Sequence, residues 1–299
     1  MQQGDPISLE QLIYIIVGTL VGFIGRWWLL RADYRQYPTY PNGMLIHLTT
    51  GFIAAAMGAV ALPALISKNF VAVTFLALAI QQFRDIRKME RNSLKDLDRA
   101  EYFPRGDAYI DGIAKTFEAR NYIVMISSLV TTSTALLIKT NYLDIILALL
   151  AGFFSIIFLK KYTQGQVIRD IAVIKEARIE FKEGNNLYVG DTYIINVGLQ
   201  ATQERILKYG IGLKLIPKGE NEKIILNHAG QRKAIMHECS RLLGLERYIE
   251  TRRNFDTGEV VLVMVPIRKE IKSMIQIIEQ VPILETNKKN EQKGLSFLS

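Results

Sequence analysis

Three carboxylates that follow a helix-breaking Pro-Arg-Gly segment are the residues of this sequence whose spacing could do chemistry. Asp107, Asp111 and Glu118 are separated by four and seven residues, so on one helix they share a face. Carboxylates held close together push their pKa values apart and can act as general acid and base, or they can bind a divalent cation. Asp107 and Asp111 are therefore the candidate catalytic residues. The alternative is structural, with Asp107 as a helix cap and the other two in ion pairs. The bases available for those pairs are Arg99, Lys115 and Arg120.

Polar residues within apolar segments form a second group of candidates. Arg26 and His47 lie near the ends of two such segments, where a polar side chain is costly and is therefore a sign of function. With the neighbouring Thr50, they predict a polar cluster near Asp111 on the cytoplasmic side. We count Arg26, His47 and Glu118 as candidate binding residues. The alternative for His47 is an interfacial residue that is hydrogen-bonded to water.

The motifs of known membrane proteases are incomplete. His237-Glu238 begins a zinc-protease motif, His-Glu-x-x-His, but the second histidine is missing. The segment 255–258, Phe-Asp-Thr-Gly, matches the catalytic triplet of aspartic proteases, yet the same residues between two strands are typical of a hairpin turn. One cysteine and three histidines leave little material for a zinc site, and no Walker-type or dinucleotide glycine loop is present. The sequence assigns no cofactor or metal.

Five apolar segments must position these candidates. A mean hydropathy of +0.14 is high for a chain with 22% charged residues, which indicates that part of the apolar surface faces lipid. Crossing roughly 30 Å of hydrocarbon takes about 20 apolar residues in a helix. The segments that meet or approach this length are 12–30, 44–66, 70–83, 122–138 and 143–159. The third is the shortest, and we count it because Gln81 and Gln82 can lie at the interface.

Basic residues predict the orientation of these segments. Lys and Arg accumulate on the cytoplasmic side of membrane proteins. In this sequence they follow the first, third and fifth apolar segments, for example at Arg31, Arg87 and Lys160. We therefore expect the N-terminus outside and the C-terminal part in the cytoplasm.

Short runs of β-branched and aromatic residues alternate with helical patterns after the last apolar segment. The predicted strands are 193–197, 213–216, 223–226, 248–252 and 260–265, and the predicted helices are 202–209, 232–243 and 268–280. Two similar pentapeptides, 196–200 and 227–231, each follow a predicted strand and open a helix. Two βαβ units in tandem indicate a ferredoxin-like split βαβ sheet.

The expected domain organisation follows from these patterns. Residues 1–162 form an α-helical membrane domain of about five spans, with a cytoplasmic loop at 84–121. Residues 163–184 are predicted to be an amphipathic connecting helix, because apolar residues recur there at helical spacing. A cytoplasmic α+β domain then covers 185–286, and a polar, flexible tail covers 287–299.

A short signature in the cytoplasmic loop resembles that of a known family. Residues 109–114 read Tyr-Ile-Asp-Gly-Ile-Ala. This hexapeptide is similar to the one for which the YIEGIA family is named, a group of multi-pass membrane proteins of endospore-forming bacteria. Asp111 stands where the family name has glutamate. The resemblance implies a role in spore development, regulatory or proteolytic, and adds Tyr109 to the candidate binding residues.

Two functions follow as expectations. The first is a spore-development membrane protein whose cytoplasmic loop and soluble domain recognise and regulate a protein partner. The alternative is a membrane-bound protease that uses carboxylates at the cytoplasmic edge of the bilayer. The expected partners are the lipid bilayer and a cytoplasmic protein, and the expected location is the membrane of the sporulating cell or the spore inner membrane.

Nucleic acid is not an expected partner. Arg247, Arg252 and Arg253 beside Tyr248 could contact RNA, but charged residues on an exposed strand face are commoner.

The segment 231–233, Gln-Arg-Lys, opens a predicted helix and could bind an anion there.

Overall fold

The computed structural model describes residues 8–33, 41–101, 103–138, 142–163 and 165–284. The tail predicted at 287–299 lies outside these ranges. The chain divides into two units, each with its own internal contacts. The membrane unit comprises Met1–Asn92 and Ile113–Gln164, and the α+β unit comprises Ser93–Gly112 and Gly165–Ser299.

Long helices occupy the first half of the chain. They are α1 (Leu9–Asp33), α2 (Pro41–Ile66), α3 (Phe70–Asp98), α4 (Asp107–Ile138) and α5 (Tyr142–Thr163). Within the described residues, four candidate spans are long and apolar enough to cross a membrane. These are Leu9–Leu30, Gly43–Ile66, Asp107–Ile138 and Leu143–Thr163. The membrane character predicted from the sequence is confirmed.

The predicted span at 70–83 is helical but is not among these four. Its apolar part, from Phe70 to Ile80, is about 16 Å long at 1.5 Å per residue, which is short of the roughly 30 Å of hydrocarbon. The helix then continues to Asp98 through many charged residues. By length and composition the described residues thus give four candidate spans, against the estimate of about five, and a long helix that is apolar only at its beginning.

Small residues pack the helices of the membrane unit together. A Cβ added at Gly58 of α2 would lie very close to the backbone oxygen of Met125 in α4. Gly22 of α1 and Gly152 of α5 likewise approach Ser128 and Thr131 of α4. Large apolar side chains point outward instead, as Phe154 shows with 64% of its surface exposed. Buried small residues and exposed large apolar ones are what lipid, rather than water, favours.

The α+β unit contains two antiparallel sheets. Its elements are α6 (Ile168–Ile171), β1 (Ala172–Glu176), β2 (Ile179–Lys182), β3 (Asn186–Val189), β4 (Thr192–Asn196), α7 (Gln200–Tyr209), β5 (Ile211–Pro217), α8 (Glu220–Asn227), α9 (Ala229–Leu243), β6 (Leu245–Arg253), β7 (Val260–Pro266) and α10 (Ile271–Glu279). One sheet has the strand order β1-β5-β7-β6, and the other has the order β2-β3-β4. Every residue of β7 is buried, because the second sheet packs on one face of the first and helices cover the other.

The split βαβ arrangement occurs once. Both β5 and β6 are antiparallel to β7, which lies between them, so β5 and β6 run parallel to each other. The connection between them passes through α8 and α9. The α+β class with a split βαβ unit is thus confirmed, but the tandem repeat is wrong, because β4 and β5 belong to different sheets.

Two predicted elements have a different secondary structure. The connecting helix at 163–184 is wrong: after α6 the chain forms β1 and β2, since pairing of Ala172–Glu176 with β5 outweighs the helical spacing. Glu183 and Gly184 then adopt positive φ in the β2–β3 turn. The predicted strand at 223–226 is the helix α8, which has acidic residues in its first turn.

Candidate functional site

The end of α3, the connection that follows it and the start of α4 belong to the α+β unit and include the first four residues of the signature. We call residues 93–112 the signature loop. The Asp98 carboxylate holds the break between the helices by accepting hydrogen bonds from the backbone N–H groups of Arg105 (2.7 Å) and Gly106 (3.3 Å). Gly106 has a φ of +88°, a conformation that favours glycine. Asp98 and Gly106, which are close in the sequence, thus fix the conformation of the turn that leads into α4.

A buried arginine joins the signature loop to α9. The Arg105 side chain is only 8% exposed; its Nε donates to His237 Nε2 (3.2 Å) and its Nη2 donates to Glu101 (2.9 Å). The other ring nitrogen of His237, Nδ1, is 2.9 Å from the Phe103 carbonyl oxygen. Because Nε2 accepts from Arg105, Nδ1 must carry the proton and donate to that carbonyl. The same ring nitrogen, Nδ1, also lies 3.3 Å from Glu101 Oε2.

The signature tyrosine makes a second connection to α9. Tyr109 is 3% exposed, and its hydroxyl donates to Glu238 Oε1 at 2.8 Å. The other oxygen of Glu238 accepts from Arg241 Nη2 at 2.7 Å. Ile110 is also buried. The side chain of Tyr109, a predicted binding residue, is thus held inside the α+β unit by its hydrogen bond to α9.

The three predicted carboxylates lie on α4 but in different surroundings. Asp107 is the first residue of the helix, with a 76% exposed side chain whose carboxylate lies 2.7 Å from Lys95 Nζ. Asp111 is half-buried in the α+β unit. Glu118 belongs to the membrane unit, where it pairs with Arg87 at 3.0 Å and accepts from the Tyr122 hydroxyl. Across the described parts of the chain, no group of three His, Cys, Asp or Glu residues could hold a metal ion.

Arg26 and His47 meet at one aromatic ring in the membrane unit. The Arg26 guanidinium lies 5.3 Å from the centre of the Phe117 ring, and the His47 ring is 4.5 Å from it in an edge-on arrangement. Arg26 is fully buried, and the absence of a side chain at Gly51 makes room for it. The structure brings two predicted residues together around Phe117, which the sequence did not single out. Such a cation–π contact partly replaces the lost hydration of the guanidinium.

Several residues of these networks were missed by the sequence reasoning. Arg105 is one example. His237 and Glu238 are others, because the sequence shows them only as the start of an incomplete zinc-protease motif. A usable signal was present for two of them: the polar residues His237 and Glu238 interrupt the otherwise apolar buried face of α9 that carries Ile235 and Cys239. Another missed residue is Asp144, which is buried in α5 and accepts a 2.5 Å hydrogen bond from the Tyr14 hydroxyl in α1.

The Phe-Asp-Thr-Gly segment forms the turn between β6 and β7. The side-chain oxygen of Asn254 accepts hydrogen bonds from the backbone N–H groups of Asp256 (2.9 Å) and Thr257 (3.3 Å). Gly258 follows with a φ of +72°. Asp256 itself is exposed at the tip. This geometry agrees with the hairpin-turn interpretation.

Removing the Tyr109 hydroxyl should weaken the attachment of the signature loop. In Tyr109→Phe, the Glu238 carboxylate still accepts a hydrogen bond from Arg241 but loses the buried Tyr109 hydroxyl as a donor. We therefore expect the free energy that holds the loop on α9 to fall by about 1–2 kcal/mol. The measurement is hydrogen exchange of the full chain in nanodiscs, read in peptides from 93–112 and α9. Tyr162→Phe is the matched control, because that tyrosine is 82% exposed. Equal exchange in both variants would contradict a role for this hydrogen bond.

The histidine that caps α9 should make the α+β unit sensitive to acid. His228 Nδ1 accepts from the Gly230 N–H, and burial, followed by the Arg232 charge, lowers the pKa of His228 below its usual value. The folded state therefore binds this proton less readily than the unfolded state. The stability contributed by neutral His228 is present above about pH 6.5 and is lost as the pH falls through the lowered pKa.

His228→Asn tests this dependence, because asparagine also caps helices and does not titrate. Unfolding of the full chain should lose part of its pH dependence below about pH 6.5 in this variant. His228→Ala should instead cost about 1 kcal/mol above about pH 6.5 through loss of the cap, and this cost should shrink as the wild-type histidine is protonated at lower pH. An unchanged pH profile in His228→Asn would assign the acid sensitivity to other groups.

Comparison with known proteins covers both units. The sequence model of a family described as "YIEGIA protein" matches residues 14–294. The Bacillus subtilis (strain 168) protein named "Uncharacterized protein YphB" is 40% identical over 285 residues, which cover 93% of this chain and 94% of that protein. No solved structure matches the chain. The similarity thus includes the membrane helices, the signature loop and the α+β unit together.

Proposed function

Because the chain belongs to the YIEGIA family, we propose that it is a spore-development membrane protein whose signature loop and α+β unit recognise and regulate a cytoplasmic protein partner. The observation that carries this proposal is the hydrogen bond from Tyr109 to Glu238. The signature residue joins the loop to α9, so the loop and the α+β unit present one continuous surface to a partner. A preformed surface binds with less loss of conformational entropy than a free loop.

The surroundings of Asp107 favour recognition over proteolysis. Asp107 is mostly exposed and paired with Lys95, so water and a base both stabilise its charged form. A carboxyl that donates a proton near neutral pH usually needs burial or a second carboxylate close by. These surroundings suit a charged recognition surface better than an acid/base pair.

The proposal places the N-terminus outside and the α+β unit in the cytoplasm. Five crossings put the two ends on opposite sides, whereas four crossings put them on the same side.

Cys239 is the one cysteine of the chain; it is buried, and burial, followed by the charge of Glu238, raises the pKa of its thiol. A Cys239→Ser background therefore allows single exposed cysteines to be placed at Ser8 and Ala201.

We expect a membrane-impermeant maleimide to label Ser8→Cys in intact cells and to label Ala201→Cys only after permeabilisation. That result corresponds to an odd number of crossings, with the first part of α3 in the bilayer. Labelling of both positions in intact cells, or of neither, would show that the ends share one side and would overturn the proposed topology.

The function is tested in sporulating cells by in-cell crosslinking and quantitative proteomics. A partner that binds the signature loop should crosslink to the wild type and should be lost in Arg105→Ala, which detaches the loop from α9. Asp107→Asn and Asp111→Asn should keep both the crosslink and the regulation. If instead specific proteins are degraded by the wild type and persist in Asp111→Asn at matched expression, the protease hypothesis replaces this proposal.

A further inference from the structure

Three arginines gather where the start of α9 meets the end of β6. Arg232 is the fourth residue of α9, and Arg252 and Arg253 are the last two residues of β6. Arg252 Nε donates to the Ile194 carbonyl oxygen at 3.0 Å, which fixes the base of its guanidinium and leaves the outer nitrogens available. Within the described chain, no carboxylate forms an ion pair with any of the three guanidinium groups. The cluster therefore has an excess of positive charge.

Arg232 has unfavourable surroundings for a cation. Its Nε is buried and has no hydrogen-bond partner among the described residues. Burial, followed by the charges of Arg253 and Arg252, lowers its pKa, and Glu250 offsets this effect only in part. The positive end of the α9 dipole adds to the repulsion, since helix starts favour anions. These features destabilise an isolated arginine but match an anionic ligand.

An exposed aromatic ring lies beside the cluster. Phe255 is 77% exposed at the tip of the β6–β7 hairpin, and the Arg253 guanidinium lies 4.3 Å from the centre of its ring. The hydrogen bonds of Asn254 hold the tip, and the side chain of Lys223 packs against Gly258. The hairpin thus presents a fixed apolar tip with basic groups behind it. Aromatic and basic side chains together are typical of the membrane–water interface.

We propose that Arg232, Arg252, Arg253 and Phe255 form a surface that binds the head groups of anionic phospholipids in the bilayer that anchors the chain. We call these four residues the basic tip. The phosphates of the lipids accept hydrogen bonds from the guanidinium groups, and the Phe255 ring enters the head-group layer. Docking of the α+β unit on the bilayer would then limit its orientations and so regulate access of a partner.

The covalent connection favours lipid over other anions. The last apolar helix, α5, ends at Thr163, and the α+β unit begins at Gly165. So short a connection keeps the unit within reach of the bilayer surface, where a weak intramolecular contact is favoured by a high effective concentration. RNA is less suited to the basic tip, because single-strand binding uses several aromatic rings in succession and one face of Phe255 already carries Arg253.

The test uses the full chain in nanodiscs of neutral phosphatidylcholine, with or without phosphatidylglycerol. An environment-sensitive fluorophore is attached at Thr257→Cys in a Cys239→Ser background, next to the basic tip. Quenchers placed at the head-group level should reduce its emission in the anionic nanodiscs only, and 0.5 M salt should reverse the effect. The readout is the ratio of docked to undocked molecules.

Each arginine should change this ratio about fivefold. A basic residue near an anionic membrane surface contributes about 1 kcal/mol to binding, which corresponds to that factor. Replacing Arg232, Arg252 and Arg253 together with glutamine should therefore reduce docking about 100-fold. Arg247→Gln is the matched control, since Arg247 is an exposed arginine of the same strand, about 20 Å from Arg253. It should leave the ratio unchanged.

Three results would overturn the proposal. The first is equal quenching in neutral and anionic nanodiscs, which would show contact without head-group recognition. The second is absence of quenching in both. The third is saturable binding of a single-stranded RNA that depends on the three arginines while phosphatidylglycerol has no effect, which would assign the basic tip to nucleic acid.

Discussion

Replacing Arg105 with alanine should destabilise the α+β unit by about 3 kcal/mol. The change removes the donors to His237 and Glu101 and leaves His237 Nε2 buried without a partner. The value is at the lower end of the cost of breaking a buried ion pair, because Glu101 is 33% exposed and can be hydrated. A second reason is that Arg105 Nη1 is already without a hydrogen-bond partner among the described residues.

Hydrogen exchange of the full chain in nanodiscs measures this effect. Amides of 93–112 and of the second half of α9 should exchange about 100-fold faster in Arg105→Ala, which corresponds to about 3 kcal/mol. Arg99→Ala is the matched control: Arg99 is 83% exposed and pairs with Asp96 on the surface, so its loss should cost about 0.5 kcal/mol or less. Similar effects of the two variants would show that the loop is not held by Arg105.

Replacing Gly58 with alanine should prevent normal packing of the membrane unit. The added Cβ would lie far closer to the backbone oxygen of Met125 than 3.0 Å, and real Cβ contacts are essentially never under that distance. Backbone atoms cannot rotate away as a side chain can, so α2 and α4 must separate by about 1 Å along their contact. We expect a cost of at least about 3 kcal/mol, at the upper end of overpacking, and loss of most of the folded protein.

Thermal unfolding and size-exclusion chromatography in detergent test this expectation. Gly112→Ala is the matched control, since it is the same substitution in a helix where the nearest atom, Leu284 Cδ2, is 3.9 Å from the added Cβ. Helix propensity predicts that it stabilises the chain by up to about 1 kcal/mol. Tolerance of Gly58→Ala at wild-type stability would mean that the two helices are not in contact.

Gly112→Ala also separates structure from recognition. Gly112 is part of the signature, yet an alanine fits there. If this variant folds normally and loses the crosslinked partner, the glycine serves the close approach of that partner.

Long-range pairing explains most of the differences between the predicted and observed folds. The apolar segments are local properties of length and hydropathy, and four of the five are candidate spans. The segment 163–184 has helical spacing, but Ala172–Glu176 pairs with a strand about 40 residues later, and no local pattern reports that partner. The helix α8 was missed because its short apolar run at 224–226 fits a strand and a helix equally well.

The candidate site shows the same division. The three carboxylates share α4, as their spacing predicts, but helical spacing does not say which of them is buried. Tyr109 was identified through the family signature, whereas its acceptor, Glu238, lies 129 residues later in the chain. The interaction depends on two elements that meet only in the folded α+β unit.

The sequence alone determined the properties that depend on neighbouring residues: the apolar segments, the signature, the hairpin turn and the excess of basic charge. These follow from hydropathy, turn chemistry and composition, which act over a few residues. The tertiary structure decided which distant side chains satisfy each other, as with Arg105 and His237, Tyr109 and Glu238, and the arginines of the basic tip. Buried polar groups must find partners wherever the fold brings them, so their pairing is a property of the packed chain.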